Sequence, residues 1–338
     1  MKRILLSLMA LAAITSVAQR NSQEDVQSGT PALMEVKGRK LKVFLQRMED
    51  GKLTFQMLKK PSDMTVPADK ISSIQFVSKY DEAGLNSAYG AADYDAVLSI
   101  LEPIMADIGQ YMPISNNMRE PFVMMFEAYR GKKDFANVKK HADLMIATGD
   151  EKLIDQTKVA LALAAIDRED FAEAEKLGGE LENEAAKLYV RAEVERAQGK
   201  PKEAIQTVNA IIFDHGNDLE WLPRGELLNA YLYLDMTSTN STITTNSAML
   251  TARQVKNIYA GGNIAGEARI FWESLGGAPI EAEEIARRAE LRAKAKELKD
   301  KRAAEDQANR EKRAAERRAQ AVAKREAEAK AAESDAAE

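Results

Sequence analysis

The sequence predicts a mainly α protein: an α-solenoid of degenerate helical hairpins, preceded by a small β-barrel-like module and followed by one long C-terminal helix. Three observations carry this expectation. A helix-breaking punctuation recurs at Asp93-Tyr94, Asp134-Phe135, Asp170-Phe171 and Lys200-Pro201, with spacings of 41, 36 and 30 residues, the range of stacked helix hairpins. Before residue 80 the apolar period is 2 instead of 3.6. Between residues 280 and 334 there is neither glycine nor proline, and Ala, Glu, Lys and Arg dominate.

Residues 1–18 read as a secretory signal, with Lys2-Arg3, an apolar run from Ile4 to Ala13 and a small-x-small site at Ser16-Val17-Ala18. The run is too short for a permanent membrane span, and no later segment is apolar enough to be one. Residues 19–31 read as a linker ending at Gly29-Thr30-Pro31. The β-module is expected over 32–78. Leu41, Val43 and Leu45 alternate with polar residues, Asp50-Gly51 is a hairpin turn, and Leu53, Phe55 and Met57 resume the pattern. Further strands are expected around Met64–Pro67 and Ile71–Val77, and the module is expected to pack on the first helices. Lys37, Arg39, Lys40 and Lys42 are read as a solvated strand face. The string Val36-Lys37-Gly38-Arg39, Asp50-Gly51-Lys52-Leu53 and Val66-Pro67-Ala68-Asp69-Lys70-Ile71 resembles the small SH3-like or Sm-like barrels at the front of exported bacterial proteins.

Helical hairpins are expected over 80–277, in pairs near 81–90 and 93–108, 116–130 and 134–147, 151–168 and 171–183, and 184–198 and 201–213. A distorted fifth unit covers 222–236, 248–259 and 264–275. The Ser/Thr/Asn run 237–247 is expected to be an exposed loop, because its side chains compete locally for backbone hydrogen bonds. The repeats resemble tetratricopeptide repeats. Val138, Ala174 and Ala204 take the small position early in the second helix, and Phe126, Ala162 and Ala192 the close-packing position twelve residues earlier. That resemblance implies a concave groove lined by first-helix residues. They include Glu127 and Arg130 in the second hairpin, Val159, Leu163 and Ile166 in the third, and Tyr189, Glu193 and Arg196 in the fourth. An aromatic flanked by both charge signs suits a peptide or partner helix. Tyr189 is read either as the anchor of that groove or as a buried contact between repeats.

Residues 278–338 are expected to form a charged helix with i,i+4 pairs such as Glu284–Arg288 and Glu290–Lys294. Ile285, Leu291 and Leu298 are too sparse for a sustained coiled-coil seam. The tail resembles the spacer helix of TolA-type envelope proteins in composition.

The chain has 338 residues, a net charge of −5 and no cysteine, which removes disulfides, thiol nucleophiles and thiolate metal sites and argues against general nucleic-acid binding. Its two histidines, His141 and His215, are read as structural or solvated, and no metal or other cofactor is expected. The Met105, Met112, Met118, Met124, Met125 and Met145 cluster reads as core filling, ahead of an adaptable apolar surface or a copper site. No nucleotide-binding, hydrolase or zinc-protease motif occurs. The expectation is an exported, periplasmic or secreted, non-enzymatic scaffold of the bacterial cell envelope. Its partners would be other envelope proteins or peptides, with weak homo-oligomerisation through the tail. The competing readings are an accessory module of a carbohydrate-active or other enzyme complex, and a self-associating spacer.

Overall fold

The computed structural model describes residues 29–335, apart from 59, 78 and 237–240. The expected signal segment lies outside the described residues. The described chain is mostly helical, with twelve α-helices behind a small antiparallel sheet. It divides into two units, one ending at Leu275 and one beginning at Gly276.

The sheet contains β1 (Thr30–Val36), β2 (Arg39–Glu49), β3 (Lys52–Met57), β4 (Lys60–Pro67) and β5 (Ile71–Phe76), in the order β4-β3-β2-β1-β5. Two hairpins turn on two residues each with positive φ, Lys37-Gly38 (50° and 74°) and Asp50-Gly51 (49° and 68°). That conformation matches the right-handed twist of the flanking strands. The sequence reading anticipated the second turn but not β1, and placed Thr30 and Pro31 in a linker. The strand forms because it is paired on both sides, Ala32 with Val43 on β2 and with Phe76 on β5. Lys37, Arg39, Lys40 and Lys42 are exposed. Met34, Leu45, Leu53 and Ile74 are fully buried and continuous with Leu101, Ile108, Tyr111 and Met112 of the helical part. A backbone bond from Ile74 N–H to the Ser115 carbonyl (2.9 Å) and a bond from Phe76 N–H to the side-chain Oδ1 of Asn117 (2.8 Å) fasten the β5 edge to the segment that leads into the helix beginning at Arg119.

The helices of the first unit are α1 (Glu82–Gly90), α2 (Tyr94–Ile108), α3 (Arg119–Gly131), α4 (Phe135–Ile146), α5 (Glu151–Asp167), α6 (Phe171–Gly179), α7 (Glu184–Ala197), α8 (Pro201–Asp214), α9 (Trp221–Asp235), α10 (Ser241–Ile258) and α11 (Asn263–Ser274). The recurring punctuation is one turn built four times. Asp93, Asp134, Asp170 and Lys200 each donate their backbone N–H to the carbonyl five residues earlier, on Tyr or Ala or Glu: Ala88, Tyr129, Ala165 and Glu195. The residue before each, Ala92, Lys133, Glu169 or Gly199, has a φ of 54° to 72°. This is the Schellman ending, and the three aspartates then cap the next helix by accepting from the N–H of Ala96, Asn137 and Glu173. Three of the four left-handed positions carry a side chain, at a cost of about 1 kcal/mol each. Glu169→Gly, at an exposed site, is therefore expected to raise stability by about 1 kcal/mol, seen as a higher denaturant midpoint with unchanged slope.

Phe126, Val138, Ala162, Ala174, Ala192 and Ala204, the six positions of the repeat register, are completely buried. Met105, Met112, Met118, Met125 and Met145 also lie in the core. His141 stacks on Tyr129 with ring centroids 5.7 Å apart, and burial followed by nearby Lys140 holds its pKa below the usual value.

Two features depart from the sequence reading. Residues 241–247, expected as loop, open α10; the face formed by Ala248, Ala252 and Val255 is fully buried against its neighbours and draws the preceding turns into the helix. Each helix packs on its sequence neighbours, but α11 also returns to α1. There Gly266 sits against the Gly90–Ala92 backbone, so closely that a Cβ would lie 2.5 Å from the Ala91 carbonyl carbon. Arg269 adds a bond to the Ala91 carbonyl (3.2 Å).

The second unit is a single helix, α12 (Gly277–Asp335), of 59 residues, about 88 Å at 1.5 Å per residue. Glu284–Arg288 and Glu290–Lys294 form the expected i,i+4 pairs, and Ile285, Leu291 and Leu298 are more than half exposed.

Candidate functional site

The end-to-start return of α11 brings charges from distant helices into one buried network. Glu127 on α3 accepts through Oε2 from Arg130 Nε (2.9 Å) and from Arg224 Nη2 of α9 (2.9 Å). Arg130 Nη2 also donates to Glu267 Oε1 of α11 (3.2 Å), and the same oxygen accepts from the Tyr94 hydroxyl. Arg224 Nη2 donates in addition to Glu220 Oε1 (3.2 Å), which Gln156 Nε2 reaches at 2.8 Å; Lys152 pairs with the other Glu220 oxygen at 3.0 Å. Burial alone would raise the Glu127 carboxyl, but Arg130 and Arg224 outweigh it and hold its pKa down to about 2. The reciprocal attraction to Glu127 outweighs burial at Arg130 and raises its pKa.

A cavity of about 400 Å³ lies beside this network. Arg130, Tyr189, Glu193 and Arg196, four of the five residues read as partner-binding, line it. Phe135, Leu163, Ile166 and Tyr231 supply apolar wall, and Lys133 stands exposed among the lining residues. Arg196 donates to Asp235 (2.6 Å), lies 3.8 Å from Glu193, and has its guanidinium 5.2 Å from the Tyr231 ring centre.

The fifth residue, Glu127, is 2% exposed, shares its Oε2 between the two arginines and is not among the residues lining this cavity. Tyr189 follows the buried-contact reading: it is 7% exposed, packs 5.6 Å from the Trp221 ring and donates to Glu193 Oε1 at 3.1 Å. Val159, placed in the groove by the repeat register, is buried in the core.

Burial raises the Glu193 carboxyl, partly offset by Arg196 and by the Tyr189 hydroxyl. A carboxyl whose folded pKa is raised destabilises the fold at neutral pH, and the penalty fades as pH falls through the folded value. Glu193→Gln keeps an acceptor for Tyr189 and removes that penalty. It is expected to leave neutral-pH stability unchanged or higher and to reduce the gain on acidification, read from melting at several pH values.

A second cavity, of about 490 Å³, lies at the other side of the network, with Glu127, Gln156, Glu220 and Arg224 lining it among the apolar Val123 and Met124. A void of about 30 Å³ lies between the two, sharing Arg130 and Tyr231 with the first cavity and Arg224 and Ile264 with the second. Residues of the charged network thus line all three cavities. Arg224, Glu220, Glu267, Gln156 and Tyr231 were not singled out from sequence. Arg224 was the most legible of them, the one cation of α9.

No protein-family model matches the chain, and comparisons with curated proteins and with solved structures returned no match.

Proposed function

We propose that the chain is a non-enzymatic interaction protein whose helical hairpins, of tetratricopeptide type, receive a partner segment in the cavity bordered by Arg130, Glu193 and Arg196. The observation that carries this reading is the convergence of Arg130, Tyr189, Glu193 and Arg196, from two different hairpins, on one cavity with an apolar wall. The fourfold identical turn and the six fully buried register positions support the repeat assignment. A sheet in which β1 pairs with both β2 and β5, with a 3-10 turn at Ala68–Lys70 before the last strand, supports an SH3-like module. The signal-like residues 1–18 support export to the envelope.

The closed arrangement of α1 and α11 narrows the occupant. At about 400 Å³ the cavity is at the lower end of ligand-site sizes, suited to a side chain or chain end and too small for a whole helix. In this reading α12 is a spacer that spans distance or engages a second component.

A photo-crosslinking side chain placed at exposed Lys133 should capture one partner protein from envelope extract. Arg196→Glu should then lower that capture at least tenfold by reversing charge at the wall. Equal capture by the variant removes this cavity as the binding element.

A further inference from the structure

One side of α10 is left bare by the fold. The helix packs on α9 and α11 and buries Ala248, Ala252 and Val255, while Ile243, Leu250 and Ile258 are 61%, 59% and 65% exposed. Their spacings of seven and eight residues put all three on one stripe of the helix. The other exposed residues between Ile243 and Ile258 are side-chain amides, Asn246, Gln254 and Asn257. From Met236 to Ala252 the sequence has no charged residue, in a chain that is 30% charged. By contrast α4 exposes Lys139 and Lys140, α6 Glu175 and Lys176, and α8 Lys202 and Glu203.

The two charges of α10 stand off this stripe. Lys256 Nζ lies 3.8 Å from the Trp272 ring centre, toward α11, and Arg253 is half-buried at the edge. A surface that covered the stripe with its own charges would bury them unpaired, so the stripe selects an uncharged mate. The stripe is itself such a mate. Counted from Leu250 it has nearly the same order in both directions: an amide four residues away on either side, Asn246 and Gln254, then an isoleucine, Ile243 seven residues before and Ile258 eight after. A two-fold axis at Leu250 would set amide against amide and isoleucine against isoleucine, with no charge opposed. That is the self-complementarity an isologous contact requires.

We infer that this face joins two copies of the chain, α10 lying antiparallel on α10 of the second copy, with Leu250 beside its own mate and Ile243 against Ile258. The inference rests on neither the Arg196 cavity nor α12. A single helix pair about 27 Å long makes a small interface, so the dimer should dissociate on dilution.

Sedimentation velocity of the full chain over a concentration series should show a reversible monomer–dimer equilibrium. Leu250→Lys, at an exposed position, brings two ammonium groups together across the axis. It should raise the dissociation constant at least tenfold with circular dichroism unchanged, whereas Leu291→Lys on α12 should leave the constant as it was. Because the chain has no cysteine, single cysteines can report the register. Under mild oxidation Ile243→Cys mixed with Ile258→Cys should give a disulfide-linked heterodimer. Neither variant should link to itself, since the antiparallel register holds each position about 20 Å from its own mate, beyond the roughly 7 Å a disulfide spans. A chain monomeric throughout the series, dimerisation unaltered by Leu250→Lys or lost in Leu291→Lys, self-linking of Ile243→Cys, or flotation of a monomeric chain with phosphatidylcholine vesicles would each overturn the assignment.

Discussion

Truncating Glu127 to alanine is expected to destabilise the protein by about 3–5 kcal/mol, the cost of stranding buried charge whose partner has been removed. Arg130 and Arg224 both use the lost carboxylate, and without it two guanidinium groups face one another in the interior. The denaturant midpoint should fall accordingly. Glu127→Ala combined with Arg224→Met should recover much of the loss, since only one arginine then remains and Glu267 still pairs with it. A single-variant loss below about 1 kcal/mol would mean that water reaches the arginines and that the interior is not sealed. The same carboxyl sets an acid limit. Its pKa is about 2 in the folded chain against an ordinary 4.5. Its contribution, on the order of 3 kcal/mol, is therefore fully present above pH 4.5 and is lost as pH falls toward 2. In Glu127→Gln the stability should change less across that window.

Gly266→Val is expected to break the contact between α11 and α1. A Cβ there would lie 2.5 Å from the Ala91 carbonyl carbon, 2.6 Å from Ala92 N and 2.8 Å from Gly90 O, all backbone atoms that no side-chain rotation can move. Displacing α11 also breaks the Glu267 bonds to Tyr94 and Arg130 and the Arg269 bond to Ala91, so the loss should reach about 3 kcal/mol or more. Hydrogen exchange separates local opening from general weakening. Amides of α1 and α11 should exchange much faster while those of α5 to α8 keep their protection. Uniform acceleration across all helices would contradict the local contact.

The helical part was legible wherever the signal is local. Asp93, Asp134 and Asp170 announce the second helix of each pair because the same residue ends one turn and caps the next, and those physical demands stay within nine consecutive residues, such as 88–96. The strand Thr30–Val36 was hidden because Gly29 and Pro31 resemble a linker until β2 and β5 are placed on either side. The opening turns of α10 were hidden for a similar reason: Ser241 to Ser247 favour local bonds, and only burial of Ala248, Ala252 and Val255 overrides that preference. The candidate cavity was half legible. Repeat register brought Arg130, Glu193 and Arg196 to one face, whereas the sequestration of Glu127 depends on Arg224, 97 residues away. Nothing in either local segment reports the other.

The meeting of Gly266 with Ala91 also bears on how the chain folds. An open stack of hairpins gains and loses its units one at a time from either end, since each touches only its neighbours. Here the last helix of the unit closes on the first, a contact formed across about 175 residues of intervening chain, whose loop-closure entropy must be met before the contact returns any free energy. The hairpins can therefore assemble early, as local structures, but the bonds from Arg130 and Tyr94 to Glu267 exist only after this most distant contact has formed. The complete charged network is in this sense a late product of folding, reached only once the two ends of the unit have met.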